Sequence, residues 1–425
     1  MPPVTNSHFR RPTLLCGSGG AARQSRHNGS VGEHIGARIA AYRKRRGLTQ
    51  AQLAGLIGRS VTWLSEVERE RREVDKVSLR DRLAEVLDIP ADTLAEPTTT
   101  RTRTIPTAPE MLDGIRSALT SYGQLGASDA PVAPLPQLQT TLVEVHRAYQ
   151  ATRYERCARM LPPLLASLDG YRELTGPVQA VRASAYVAAA KLLTKIGDAD
   201  LAWLAADRAA MAALAADSPT TEGQAAYQVV CALLRTGQRE RAELVAVGAA
   251  EKMMGKLRAD SPTAISLAGA LWLVAAMTAT SNADRRSVAE RFTHADRLAD
   301  RLGSDANHAF TAFGPTNVAL HKVSLSAKIA DPVRALTDAA SVNTDAFPAG
   351  LVGRRAQLHL DLAQAQAQRR HDPEAVLHLR EVERTAPELL RYYTSAHTVV
   401  RELLRRERPT QTPELRPLAV RAGVL

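Results

Sequence analysis

The chain has 425 residues, 45% of them apolar and 4% aromatic, with 55 Lys and Arg against 44 Asp and Glu and a formal charge of +11. That length is too great for one small core and calls for two or more domains, and the basic balance favours polyanionic partners. No run of roughly 18 apolar residues is free of charge, which excludes a membrane-spanning helix; Cys16, Cys157 and Cys231 are too scattered for a metal site or a disulfide framework and fit a reducing cytoplasm.

Residues 1–30 hold Arg10, Arg11, Arg23 and Arg26 and no acidic residue, and read as a disordered basic arm. Residues 31–96 read as a compact helical domain. Its first helix is expected over Val31–Arg46, with Ile35, Ile39 and Tyr42 on the inner face. The stretch Thr49–Arg72, TQAQLAGLIGRSVTWLSEVERERR, then reads as two short helices joined by a tight turn. Gln50, Leu53, Ala54 and Ile57 share one side of the first, Gly58 supplies the turn, and Ser60 offers a hydroxyl to cap the second. Leu64 and Val67 repeat at the spacing of a buried stripe. This is the layout of a helix-turn-helix, whose second helix can enter the DNA major groove. Arg43, Lys44, Arg45 and Arg46 precede it and Arg69, Arg71 and Arg72 follow it, positions suited to two phosphate runs. On the second helix Val61 and Thr62 suit thymine methyls, Glu66 suits a cytosine amino group, and Trp63 suits a wedge against sugar-phosphate or a base methyl. A fourth helix is expected over Val77–Leu87, capped by Ser78, and a short fifth turn over Ala91–Leu94 after Pro90.

The segments IGARIAAYRKRRGLTQAQLAGLIG, SVTWLSEVERERR and VSLRDRLAEVLDIPADTL, within Glu33–Leu94, resemble the DNA-binding domain of lambda-repressor-like, XRE-type regulators. The resemblance implies five helices, Gln50 against the DNA backbone, and Ser60, Val61, Thr62, Trp63 and Glu66 facing the groove. Two positions depart from the family pattern. Arg59 stands where an apolar residue is usual, and is expected to point outward to a phosphate. Glu70 stands where glycine is common, so the recognition helix is expected to run on by a turn.

Pro97–Pro109, PTTTRTRTIPTAP, reads as an extended spacer within a linker over residues 97–136 that holds one helix, Glu110–Tyr122. From residue 137 to 425 the pattern is helical throughout, with breaks at Ala151-Thr152, Gly197-Asp198, Gly237-Gln238, Ser281-Asn282, Ala330-Asp331 and His371-Asp372. They recur every ~40–50 residues, the range of helical-hairpin repeats. The layout resembles degenerate tetratricopeptide repeats, about six helix pairs stacked as an α-solenoid. The expected fold is therefore all-α: a lambda-repressor-like domain followed by a TPR-like array.

Within the array, FTAFGPTNVALH over Phe310–His321 departs from the Ala/Leu pattern. Asn317 there suits a clamp on a peptide backbone, with Phe313 and His321 beside it. Arg182, Tyr186, Tyr227, Trp272 and Arg355 are the other groove candidates. There is no GxSxG elbow, no phosphate-cradling glycine loop and no HExxH, so neither an enzyme, a metal nor a cofactor is expected. These readings converge on a cytoplasmic, sequence-specific regulator that binds operator DNA as a homodimer and senses a peptide or small-molecule effector through the array. The alternative is an adaptor whose solenoid holds a protein partner while the DNA-binding domain localises it.

Overall fold

A computed structural model describes residues 35–69, 71–72, 74, 77–87, 108–122, 132–256, 261–278 and 285–425. The expected basic arm and the fifth turn at Ala91–Leu94 lie outside these residues. Among them all regular structure is helical, and the chain divides into two compact units, residues 1–104 and 105–425.

In the first unit, α1 (Ile35–Arg45), α2 (Gln50–Leu56), α3 (Val61–Glu68) and α4 (Val77–Leu87) surround a core of Ile39, Leu53, Ile57, Trp63, Leu64, Val67, Leu83 and Leu87. Local chemistry fixes the α2–α3 pair. Thr49 accepts a hydrogen bond from the Gln52 backbone N–H, and the Gln52 side chain accepts one from the Thr49 N–H, closing a capping box. Gly58 sits at φ +67°, where a side chain would be strained, and the Arg59 N–H returns to the Ala54 carbonyl at 2.8 Å to finish the turn. Ser60 then caps α3 by accepting from the Trp63 N–H at 3.1 Å. Gly36 brings α1 against the end of α3; a Cβ there would lie 2.1 Å from the Val67 carbonyl oxygen. The extra turn expected of α3 does not form. The helix ends at Glu68, and the Arg71 N–H folds back to the Glu66 carbonyl at 2.8 Å.

The second unit begins with α5 (Ala108–Leu119), which the sequence reading assigned to a linker. Its stripe of Met111, Leu112, Ile115 and Leu119 is buried in the main core of this unit, and Arg116 pairs with Asp198 at 2.9 Å. The helix therefore belongs to the array. Six pairs follow: α6/α7 (Leu135–Gln150, Tyr154–Asp169), α8/α9 (Gly176–Ile196, Ala199–Ala215), α10/α11 (Pro219–Arg235, Arg239–Lys256), α12/α13 (Pro262–Ala276, Arg285–Leu302), α14/α15 (Pro315–Lys328, Pro332–Ala339) and α16/α17 (Val352–Gln368, Asp372–Thr385). Alanines at 0–2% exposure, such as Ala189, Ala205, Ala209 and Ala363, occupy the crossings and let backbones approach.

An open solenoid would have each pair touch only its neighbours. Here α18 (Pro387–Tyr392), α19 (Thr394–Leu404) and α20 (Leu415–Arg421) follow the sixth pair and share one core with α5–α9. The Glu155 N–H donates to Glu388 Oε2 at 2.8 Å, and Tyr392 Oη donates to Glu155 Oε1 at 3.1 Å. The two ends of the array thus meet, and the expected concave groove becomes a partly open cavity.

Candidate functional site

The outward face of α3 is built by subtraction. Trp63, Leu64 and Val67 turn into the core, which leaves Ser60, Val61 and Thr62 exposed at its start; Val61 is 46% exposed although apolar. Arg59, Arg69, Arg71 and Arg72 are exposed around this face. Glu66 is half-buried and pairs with Arg72 at 3.4 Å. Arg59 lies over the Trp63 ring, 5.6 Å from its centroid.

Two expectations give way. Trp63 was read as a wedge for DNA, but it is 9% exposed and part of the core. Arg43 was read as a phosphate contact, but it is 8% exposed and its guanidinium forks onto Glu68, with Nε to Oε1 at 2.6 Å and Nη2 to Oε2 at 3.0 Å. Its Nη1 also donates to the Leu48 carbonyl at 2.8 Å, so the group ties α1 to α3 and to the loop before α2. Gln50 joins the same node, donating to Glu68 Oε2 at 2.8 Å. Burial opposes ionisation of Glu68, but the hydrogen bonds from Arg43 and Gln50 outweigh it and hold the carboxyl below its ordinary range. Arg46 donates to the Val86 carbonyl at 2.6 Å and anchors α4.

The second unit holds a partly open cavity of about 640 Å³. The first helix of every pair contributes to its wall: Gln150 from α6, Lys191 and Lys195 from α8, Gln224, Tyr227 and Arg235 from α10, Leu267 from α12, His321, Ser324 and Lys328 from α14, and Arg354, Gln357 and Asp361 from α16. Of the eight groove residues chosen from sequence, Tyr227 and His321 line it. The others serve elsewhere. Arg182 and Tyr186 bind Asp169 at 3.0 and 3.3 Å. Trp272 stacks on His294 with centroids 4.3 Å apart. Arg355 donates to the carbonyls of Thr344, Phe347 and Ala349 and holds the loop before α16. Phe313 is fully buried against Gly269. Asn317 is 1% exposed, its carbonyl bonded to His321 Nδ1 at 2.8 Å and its side-chain oxygen buried without a partner.

Asp361 is the buried acid of this wall. It accepts from Ser324 and, at 2.9 Å, from Gln357 Nε2, and burial pushes its carboxyl up to about 6. Burial pushes Lys191 down to about 8, with the like charge of Arg354 adding to the effect. Lys328 falls to about 8 through burial and Arg239, and His321 to about 3 through burial and Arg354. Beside these groups the chain at 308–312 takes an unusual path. Ala309, Phe310 and Ala312 all have left-handed φ of 49°, 56° and 56°. The Phe310 carbonyl accepts from Lys191 at 3.5 Å and Gln150 at 3.3 Å, and the Ala309 carbonyl from Gln224 at 2.9 Å.

Sequence reasoning missed most of this wall, although a signal existed. Arg354, Gln357, Asp361 and Gln364 recur at three- and four-residue steps on an otherwise Ala/Leu helix, as do His321, Ser324 and Lys328. A polar stripe inside an apolar repeat marks a lined interior as readily as a solvated face.

Among the described residues no helix is long and apolar enough to cross a membrane. Residues 34–96 match the family model described as a helix-turn-helix domain. Over 62 residues, 15% of this chain, the sequence is 45% identical to an uncharacterized HTH-type transcriptional regulator, YazB of Bacillus subtilis (strain 168), covering 88% of that protein. The capped α2–α3 pair, its exposed arginines and this match together place the chain among the XRE-like helix-turn-helix transcriptional regulators.

Proposed function

We propose that the protein is a cytoplasmic, sequence-specific DNA-binding transcription regulator that acts as a homodimer and is controlled by an effector held in the helical array. The observation that carries the reading is the exposed start of α3, where Ser60, Val61 and Thr62 face outward between Arg59 on one side and Arg69, Arg71 and Arg72 on the other. A helix with small methyl-bearing side chains at its N-terminal turns can approach thymine methyls in the major groove, while the flanking guanidinium groups meet phosphates. One such domain covers a half-site, so affinity at physiological salt calls for two copies on an inverted repeat. The partly open cavity, with charged and polar side chains from several helices in its wall, supports an effector role for the second unit: a ligand that favours one arrangement of the array shifts the population of DNA-competent dimers.

The test is a gel-shift titration of the full-length protein on its own upstream region at fixed salt. Thr62→Ala should weaken binding by about 5- to 100-fold, the cost of one lost base contact, with no change in helical content. Unchanged affinity would overturn the assignment of this face.

A further inference from the structure

Six cations line the cavity of the second unit, Lys191, Lys195, Arg235, Arg239, Lys328 and Arg354, against two carboxylates, Asp361 and Glu402. Among the described residues none of the six forms an ion pair. Glu402 is engaged by Arg406 at 2.8 Å, and Asp361 accepts from Ser324 and Gln357. The cations turn instead to neutral groups. Lys195 donates to Gln357 Oε1 at 3.3 Å and lies over the Tyr393 ring at 3.6 Å, Lys328 donates to the Met277 carbonyl at 2.6 Å, and Arg235 to the Thr194 carbonyl at 2.7 Å. Arg235 and Lys328 keep contact with solvent while the other four are half-buried, and Asp361 reaches Lys195 and Arg354 only through space; like charges gathered in one space with so little counter-charge repel one another and favour an anionic guest. Burial and the neighbouring guanidinium groups of Arg354 and Arg239 push Lys191 and Lys328 down to about 8.

We infer that this cavity is the binding site for a small multivalent oxyanion, an organic molecule bearing phosphate or clustered carboxylate groups, whose oxygens would pair with the lysines of α8 and α14 and with Arg354 of α16. The inference deepens the effector reading above and rests on it only for its regulatory meaning, because binding itself is measurable without DNA. The volume of about 640 Å³ admits a metabolite-sized ligand. The glutamines and Tyr227 on the wall can orient its uncharged part. The site draws on α8, α10, α14 and α16 at once, so neutralising it would tighten helices that now repel one another.

The full-length protein is titrated with inorganic pyrophosphate, citrate and, as the uncharged control, glycerol, by calorimetry and by thermal unfolding. Pyrophosphate or citrate should bind and raise the melting temperature, glycerol should not, and whichever anion binds tighter identifies the source as phosphate or carboxylate. The double variant Lys191→Met, Arg354→Met should bind about 10-fold or more weakly, yet keep wild-type helical content and a single cooperative unfolding transition without anion. That second readout separates a lost site from a misfolded protein. Equal binding by wild type and variant would mean anions held by the basic DNA-binding unit, and would overturn the inference; so would the absence of heat and of a melting shift for both anions. If an anion binds here but leaves operator affinity in a parallel gel shift unchanged, the inference stands and the effector reading fails.

Discussion

Replacing Glu68 with Ala tests the node that sets the geometry of the DNA-binding unit. The Arg43 and Glu68 side chains are only 10% and 7% exposed, and removing the carboxylate strands the Arg43 guanidinium between α1 and α3. Breaking a buried pair on one side costs about 3–5 kcal/mol. This pair lies at the edge of its core, where water can reach a displaced Arg43, so a cost of about 2–3 kcal/mol is the better figure. That is a large share of the roughly 5–15 kcal/mol that holds a domain together. The assay is hydrogen exchange of the full-length protein, read on peptides from α2 and α3, whose amide protection should fall roughly 30- to 150-fold. The apolar double replacement Arg43→Met, Glu68→Leu should return protection to within about 1 kcal/mol of wild type, since no charge is then stranded. Acid should reach the same state. The folded carboxyl ionises below its unfolded value, so the stabilisation is complete above about pH 4.3 and is lost as pH falls through the folded value. Unchanged protection in Glu68→Ala, with Arg43 free to move, would refute the reasoning and return Arg43 to the phosphate contacts.

Trp63→Ala should destabilise the first unit by about 3–5 kcal/mol, and circular dichroism with gel shift should show folding and DNA binding lost together; a folded variant with weaker binding would restore Trp63 to the groove. Gly269→Ala should cost about 1–3 kcal/mol in urea unfolding of the full chain, because its Cβ would fall 2.0 Å from Phe313 Cζ in a fully packed site; a neutral effect would show that Phe313 has room to move. Anion affinity for the cavity should fall about 10-fold or more between pH 7 and 9, since Lys191 and Lys328 lose their protons near 8 and a bound anion must restore them. Asp361 and His321, on the same wall, titrate below that range. Calorimetry in buffers of different ionisation enthalpy should reveal the proton uptake, and a flat profile would exclude these lysines from binding.

The α2–α3 pair was legible in sequence because its determinants are local. Thr49, Gln52, Gly58 and Ser60 act on backbone groups within four residues of themselves. Trp63 was misread although Val67, four residues on, shares its face; the family pattern drew it toward the groove and the helical geometry did not. Arg43 looked like one of four equivalent basic residues, and only the arrival of Glu68, 25 positions away, distinguishes it. In the array the breaks at Gly197-Asp198, Gly237-Gln238, Ala330-Asp331 and His371-Asp372 followed from Gly and Asp punctuation, while Ser281-Asn282 lies outside the described residues. The cavity did not, because its wall depends on which face of each helix looks inward once the two ends meet. Arg354 and Arg355 differ by one position, about 100° of rotation, and that step separates a cavity residue from a loop fastener.

The left-handed run at Ala309, Phe310 and Ala312 bears on how a signal could travel. Each such non-glycine residue costs about 1–3 kcal/mol and persists only while its surroundings hold it. Lys191, Gln150 and Gln224 do the holding, through the two carbonyls the twisted chain presents. The hold on this backbone thus includes Lys191, one of the lysines to which the inferred anion would bind, so occupancy of the cavity and the path of residues 309–312 would be linked through one side chain.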